Sequence, residues 1–535
     1  MEEKFDYIIV GAGSAGCVLA NRLTADSRTR VLLLEAGGPD TNIWIHLPVG
    51  YFKTMHNPAT DWCFVTEPCP GLGGRQVKWP RGKVLGGSSA INGLLYIRGH
   101  RFDFDTWRRL GNVGWGYEDV LPYFKRSENQ ERGEDEFHGV GGPLAVSDVR
   151  MKREISELFI SAAESAGIRR NEDVNGAEQE GVGYFQNTVR NGLRCSTAVG
   201  YLKPVRHRKN LTVVTRAQAT RIVIEGGRAV GVEYKGDGVA LVARARREVL
   251  LASGAIGSPQ LLMLSGIGPA QHLMEHGIKV QLALPGVGKN LQDHLQIRMV
   301  YKLNQPLSVN DEVKKPFGKV AMALEFAFRR RGPITMAASQ VCLFAHTRPG
   351  LEAPDIQFHV QPLSADSPGE GLHKFPAFTV SPCQARPESR GEVLLGSADP
   401  LAYPKIQPNY LATETDCSTT VAGMKLVRRV VGEKPLAGVI ASEYAPGGQS
   451  ASDDELLDAA RRTGQTIYHP VGTAKMGSDP MAVVDDRLRV IGIQGLRVVD
   501  ASVMPTITTG NTNAAAIMIA EKASDLIIAD AKAHP

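Results

Sequence analysis

The hydrophobic pattern of the chain changes period several times. Tyr7-Ile8-Ile9-Val10 and Val31-Leu32-Leu33-Leu34 are short continuous apolar runs, and an apolar helix through Leu19 lies between them. Such runs predict strands buried on both faces, so Tyr7–Ala36 reads as strand, turn, helix, strand. Further on, Leu211–Thr215, Ala219–Ile224 and Ala229–Tyr234 read as meander-like strands, and Val249–Ala252 as a buried strand that runs into a glycine turn. Ile155, Leu158, Phe159, Ala162 and Ala166 fall at helical spacing before Gly167, whose tolerance of positive φ suits a helix stop. Ser452 and Glu455 form a capping box that opens a helix carrying Leu456, Leu457 and Ala460. An apolar tail from Ala514 to Ala529 predicts one more helix.

No internal repeat is present, and this alternation predicts a mixed α/β protein. The expected fold is a Rossmann-like cofactor domain with a discontinuous second domain, built on an antiparallel sheet with helices. Residues 1–150, 201–295 and 466–535 are assigned to the cofactor domain. Residues 151–200 and 296–465 are assigned to the second.

Composition narrows the function. With 43% hydrophobic and 22% charged residues the chain can bury a sizeable core. A net charge of +5 without a dense basic block argues against nucleic acid as a partner. The seven cysteines are scattered with no Cys-x-x-Cys pair, which suits reduced thiols and no metal site. The start, Met1-Glu2-Glu3-Lys4, does not resemble a secretory signal, and Ile8–Ala20 is too short and glycine-rich to cross a bilayer. A cytoplasmic location is expected, with at most peripheral contact with the inner face of the membrane.

The first strand feeds Gly11-x-Gly13-x-x-Gly16. Gly11 permits the tight turn, Gly13 lets backbone approach a pyrophosphate, and Gly16 lets helix and strand pack closely. The second strand ends at Glu35, where a carboxylate can accept both ribose hydroxyls. A full βαβ context makes this a dinucleotide site, but NAD and FAD share an ADP half bound in this way.

Gly82-Lys83-Val84-Leu85-Gly86-Gly87-Ser88-Ser89-Ala90-Ile91-Asn92, continuing to Tyr96, Gly99 and Asp105, resembles the first signature of the glucose–methanol–choline oxidoreductase family. Gly254-Ala255-Ile256-Gly257-Ser258-Pro259, then Leu261-Leu262 and Ser265-Gly266-Ile267-Gly268, resembles the second. The resemblance implies FAD. It also implies an FAD site drawn from Gly11, Gly13, Ser14, Ala15, Gly16, Glu35, Ala36, Arg81, Val84, Gly86, Gly87, Ser88, Asn92, Gly93, Leu95, Ala219, Ala252, Gly254, Asp500, Ala501 and Thr512. The backbone donors of the run Gly86–Ser89 are expected to reach the cofactor. Some family oxidases anchor the flavin covalently through a histidine where Ile91 stands here, so the FAD is expected to be non-covalent.

In the tail, Tyr468-His469-Pro470-Val471-Gly472-Thr473 and Gly510-Asn511-Thr512-Asn513 correspond to the family blocks on the substrate side of the flavin, which implies His469 and Asn513 as the reacting pair. Alcohol oxidation needs a base for the hydroxyl proton, and imidazole titrates in the right range. His469 is expected as base and Asn513 as donor to the alkoxide oxygen. The helix beginning there would turn its positive end to the reduced flavin. Asp500 is expected beside the pyrophosphate and ribityl chain, without a chemical role. If strand Ile356–Val360 roofs the pocket, His359 and Phe358 would face substrate on alternate sides, although a satisfied core histidine is the simpler reading of His359.

The resemblance is strongest to the bacterial branch with sorbose, alkanol, polyethylene glycol and choline dehydrogenases, through Arg194-Cys195-Ser196-Thr197-Ala198-Val199-Gly200-Tyr201-Leu202. It implies oxidation of a primary alcohol, aliphatic or polyether, with electrons passed to a quinone or cytochrome. An oxygen-using alcohol oxidase, a choline dehydrogenase and a non-redox flavin lyase stay open as alternatives.

Overall fold

A computed structural model describes residues 4–236, 238–367 and 371–533. The first strand (Lys4–Val10) lies at the middle of a seven-stranded sheet, parallel to Val31–Leu34 on one side and to Val239–Leu251 on the other. Leu211–Val214 extends the parallel edge, and Leu496–Val498 from the tail pairs parallel to Val249–Leu251. The strands Ala217–Glu225, Arg228–Gly236 and Val239–Leu251 form an antiparallel meander. The last of these begins ten residues before the apolar run that revealed it. Its first four residues are exposed, Ala243 is buried singly, and the continuous buried run is Val249–Leu251.

A second sheet of eight strands joins Gly181–Tyr184, Val341–Ala345, Ile356–Gln361, Ala377–Gln384, Met299–Leu303 and Ile440–Ala445 in that spatial order, with Leu295–Gln296 and Gln465–Thr466 attached. Every pairing in it is antiparallel. The helices Glu154–Ser165, Glu414–Val431 and Asp453–Thr463 bury their apolar faces on it. At Gly423 the helix comes so close that a Cβ would sit 2.7 Å from the Ile356 side chain. The capping box at Ser452 and Glu455 is present, and Gly167 has φ +85° after the helix that ends at Ser165.

The tail helix runs Asn513–Ala533 and packs along the first helix (Ser14–Leu23). Arg22 and Arg126 both pair with Glu521, which is fully buried and also accepts from the Tyr201 hydroxyl at 2.8 Å. The tail is thereby fixed beside the glycine turn, and one long cavity opens between the two sheets.

Candidate active site

One end of the cavity is built from the βαβ unit. Gly11 has φ +101° and a Cβ there would lie 2.6 Å from the Ala252 carbonyl; at Gly16 it would lie 1.8 Å from the Gly11 carbonyl. Gly13 touches Gly87, where a Cβ would meet the Gly13 Cα at 2.6 Å. The first helix has no side-chain cap, so its free amides at Ser14 and Ala15 open on the cavity, which suits a pyrophosphate. Glu35 accepts from the backbone amides of Ala12 and Gly37, both at 2.8 Å. Each carboxylate oxygen keeps a lone pair for a ribose hydroxyl. Burial pushes its carboxyl up to about 7 against the pull of those donors. Ala36, Ala219, Ala252 and Gly254 line the same end.

Asp500 ties the tail to the helix Gly254–Leu264. It accepts from the Gly254 amide at 2.9 Å, from Ser258 Oγ at 2.6 Å and from the Ser502 amide at 2.8 Å. Its carboxylate is thus held by the protein itself. Asp500, Ala501 and Thr512 border the cavity.

The covering loop contributes Arg81, Gly87, Ser88, Asn92, Gly93 and Leu95 to the wall. Val84 and Gly86 do not border it. Val84 packs with Ile45, Ala90 and Ile91, and the Gly86 amide donates to Ala12. The amides of Gly87 and Ser89 are also bonded internally, to Val84 and Gly86. The expected row of free backbone donors is therefore mostly used in folding the loop, and the small residues supply room. Arg194 holds the loop from behind, donating to the carbonyls of Ile45, Ser89 and Asn92 and to Asn92 Oδ1 at 2.7 Å. Burial lowers its guanidinium to about 9.

At the other end, His469 is buried in an irregular segment after Tyr468, whose φ is +72°. Its backbone amide donates to Asp293 Oδ1 at 2.7 Å. Asp293 Oδ2 accepts from Thr466 Oγ1 at 2.6 Å and from the Tyr410 hydroxyl. Burial raises that carboxyl to about 6. Arg81 Nη2 donates to the Tyr468 carbonyl at 2.6 Å. The loop is thus held by its main chain, leaving the ring to other work.

The ring has two partners. Its Nδ1 lies 3.0 Å from His294 Nδ1, whose own Nε2 lies 2.9 Å from the Ala385 carbonyl. A carbonyl only accepts, so His294 carries its proton on Nε2 and accepts at Nδ1. His469 must then donate from Nδ1 and present a lone pair at Nε2. Asn511 Nδ2 faces that lone pair at 3.1 Å. The Asn511 carbonyl oxygen accepts from Gln357 Nε2 at 3.4 Å, which fixes the amide in this orientation. Both imidazoles are kept neutral, by burial first: His294 falls to about 4, and His469 drops well below the ordinary histidine value.

The structure corrects the expected pair. Asn513 does not meet His469; its Oδ1 accepts from Ser14 Oγ at 2.7 Å, across the glycine turn. It is the first residue of the tail helix, whereas Asn511 stands two residues earlier in the extended segment that reaches the histidine. Asn513 still borders the cavity, at the dinucleotide side.

The roof of this end is the second sheet. His359 and Gln361 face the cavity, while Phe358 turns into the core. His359 is not a satisfied core histidine: neither ring nitrogen has a hydrogen-bond partner among the described residues, and its ring stacks on Phe185. Arg298 is buried beside Gln361, donating to its Oε1 at 3.1 Å, and its Nε has no partner among the described residues. Gln296, Tyr51, Trp62 and Tyr468 also line the cavity. Asp293, His294, Gln296, Arg298 and Asn511 were not singled out in the sequence. The adjacent Asp293-His294, after Gln292 and next to a strand, was the available signal.

The chain matches the GMC oxidoreductase family over residues 5–296 and again over 387–520. It is 44% identical to a protein named alcohol dehydrogenase [acceptor] from Pseudomonas putida, over 98% of this chain and 96% of that one. It is 43% identical to mitochondrial choline dehydrogenase of Mus musculus, over 100% and 90%. Among solved structures, pyridoxine 4-oxidase from Mesorbium loti superposes with a TM-score of 0.89 at 33% identity, covering 97% and 98% of the two chains. A formate oxidase superposes with a TM-score of 0.93 at 27% identity, covering 99% of each.

Proposed function

The chain belongs to the GMC oxidoreductase family, an FAD-dependent family of alcohol-oxidising enzymes, and from that premise we propose that it oxidises a primary alcohol to the aldehyde with His469 as base. The observation that carries this is the line Ala385 carbonyl, His294, His469, Asn511, which leaves a lone pair at His469 Nε2 beside an amide donor. An alcohol that displaces the Asn511–His469 hydrogen bond gives its hydroxyl proton to Nε2, while the Asn511 N–H donates to the oxygen as its charge grows. His359 offers a second ring to the same oxygen or to the rest of the substrate. Bound FAD supplies the acceptor for the hydride that leaves the carbon.

Gly11, Gly13, Ser14, Ala15 and Glu35 would hold the ADP half, and Arg81, Gly87, Ser88, Asn92, Gly93 and Leu95 the flavin half. Ile91 has no nucleophilic atom, which supports non-covalent binding. Electrons would leave to a quinone or cytochrome.

Anaerobic mixing of the purified yellow protein with primary alcohols is expected to bleach the flavin band. Failure to bleach with any alcohol would overturn the reading. Slow recovery on admitting air, against fast recovery with a quinone analogue, is expected; rapid recovery with stoichiometric peroxide would instead assign an oxidase.

The substrate end disfavours a cation. Arg298 and, against Tyr468, Arg81 are its cations, its neighbours Gln296 and Gln361 are neutral amides, and the carboxylates on the cavity wall, Glu35 and Asp500, are at the cofactor end. A neutral aliphatic or polyether alcohol fits, with ether oxygens as acceptors for Arg298. Choline should therefore have a kcat/KM about tenfold or more below that of a neutral alcohol of similar size, as like charges in such a site repel by a kcal/mol or more. Arg298→Gln should narrow that gap. Choline turned over as well as the neutral alcohol by the unaltered protein would contradict the assignment.

A further inference from the structure

The helix Gly318–Arg329 stands apart from the rest of the surface. Only Phe326 turns inward fully, while the opposite face carries Phe317 (83% exposed), Val320 (55%), Leu324 (53%) and Phe328 (84%). Val320, Leu324 and Phe328 recur at helical spacing and form one stripe on one side of the helix, and Phe317, the residue before its first turn, is bare beside it. A soluble surface tolerates single exposed apolar residues; two nearly bare phenylalanines, one in the stripe and one beside it, mark a docking face.

Charge says what docks there. Residues 314–331 carry six basic side chains, Lys314, Lys315, Lys319, Arg329, Arg330 and Arg331, and one acidic, Glu325. The basic groups bracket the stripe at both ends, and all six are exposed. Apolar residues flanked by lysine and arginine on a short helix fit the boundary between acyl chains and anionic headgroups. No helix among the described residues is long and apolar enough to cross a membrane, so contact through this helix would be with one leaflet. The helix leads through the turn Pro333–Thr335 to Ala338 and Ser339, which line the cavity. That turn also packs on Pro48–Gly50, next to the exposed Ile43 and Trp44.

We propose that the helix Gly318–Arg329 docks the protein on an anionic bilayer surface, its apolar stripe in the acyl boundary and its basic ends on lipid phosphates. The proposal is independent of the alcohol and of the acceptor.

The test is co-sedimentation of the full FAD-loaded chain with phosphatidylcholine vesicles, with and without phosphatidylglycerol. Binding is expected only with the anionic lipid, and is expected to fall in high salt. The double variant Phe317→Glu, Phe328→Glu should lose at least about tenfold in partitioning. Lys319→Gln, Arg329→Gln and Arg331→Gln together should lose about a hundredfold, as each basic group multiplies binding about fivefold. Flavin content and melting midpoint should stay unchanged in both. Absence of sedimentation with either vesicle would overturn the proposal, as would variants that bind as well as the parent. A concentration-dependent dimer abolished by Phe317→Glu, Phe328→Glu, with no vesicle binding, would assign the face to a second copy of this chain instead.

Discussion

His469→Gln is expected to lower kcat/KM for any alcohol substrate by about 10²–10⁴-fold, the usual worth of a positioned base, while FAD stays bound. The expectation of an intact cofactor site comes from how the segment is held. Asp293 grips the backbone amide of residue 469 and Arg81 grips the carbonyl of Tyr468, so neither contact depends on the ring. The cofactor end, from Gly11 to Glu35, is made by other elements altogether. Loss of flavin in step with loss of activity would show that the ring is structural.

The pH profile gives an independent reading of the same group. A histidine whose pKa is lowered in the folded protein remains a free base at pH values where an ordinary one is protonated. Burial, then the neighbouring His294, His359 and Arg81, lower His469 well below 6.5. The acid limb of kcat/KM should accordingly lie below pH 6.5, and the small activity left in His469→Gln should not share it. A limb above 6.5 that belongs to His469 would mean that the imidazole is charged in the resting enzyme, and the tautomer line through His294 would fail with it.

Much of this fold is legible in the chain because the parallel strands are buried on both faces. Tyr7–Val10 and Val31–Leu34 announce themselves as continuous apolar runs, and Gly11, Gly13 and Gly16 stand where a side chain would strike backbone or close the cofactor path. The strand Val239–Leu251 was legible only over its buried end, because Arg244, Arg246 and Arg247 interrupt the apolar run ahead of it. The site was legible in part. His469 sits in a short block rich in Pro and Gly, but the partners that give it a tautomer, His294 and Asp293, come from 175 and 176 residues away. No local pattern encodes such a contact. Val84 and Gly86 looked like cofactor contacts by neighbourhood, yet a tight loop needs some of its own residues to close it, and these two do that.

Asn511→Ala is expected to cost about 10²-fold in kcat, whereas Asn513→Ala should leave kcat within about threefold of the parent, on the scale of losing one donor to a developing oxyanion. The two residues are two positions apart and chemically identical, so their difference is purely one of placement. Asn511 precedes the tail helix, and its amide, turned by Gln357, presents Nδ2 to His469 Nε2 at 3.1 Å. Asn513 opens the helix, and its side chain is directed the other way, to Ser14. Loss of the Asn511 donor leaves the alkoxide uncompensated in a buried site, where water is a poor substitute. Loss of Asn513 removes one hydrogen bond between the tail helix and the first helix, so its effect belongs in flavin retention and in about 1 kcal/mol of stability. Measuring kcat, flavin content and melting midpoint on both variants separates the cases. If Asn513→Ala were the slower enzyme with its flavin intact, the line from Ala385 through His294 and His469 would end on the wrong residue.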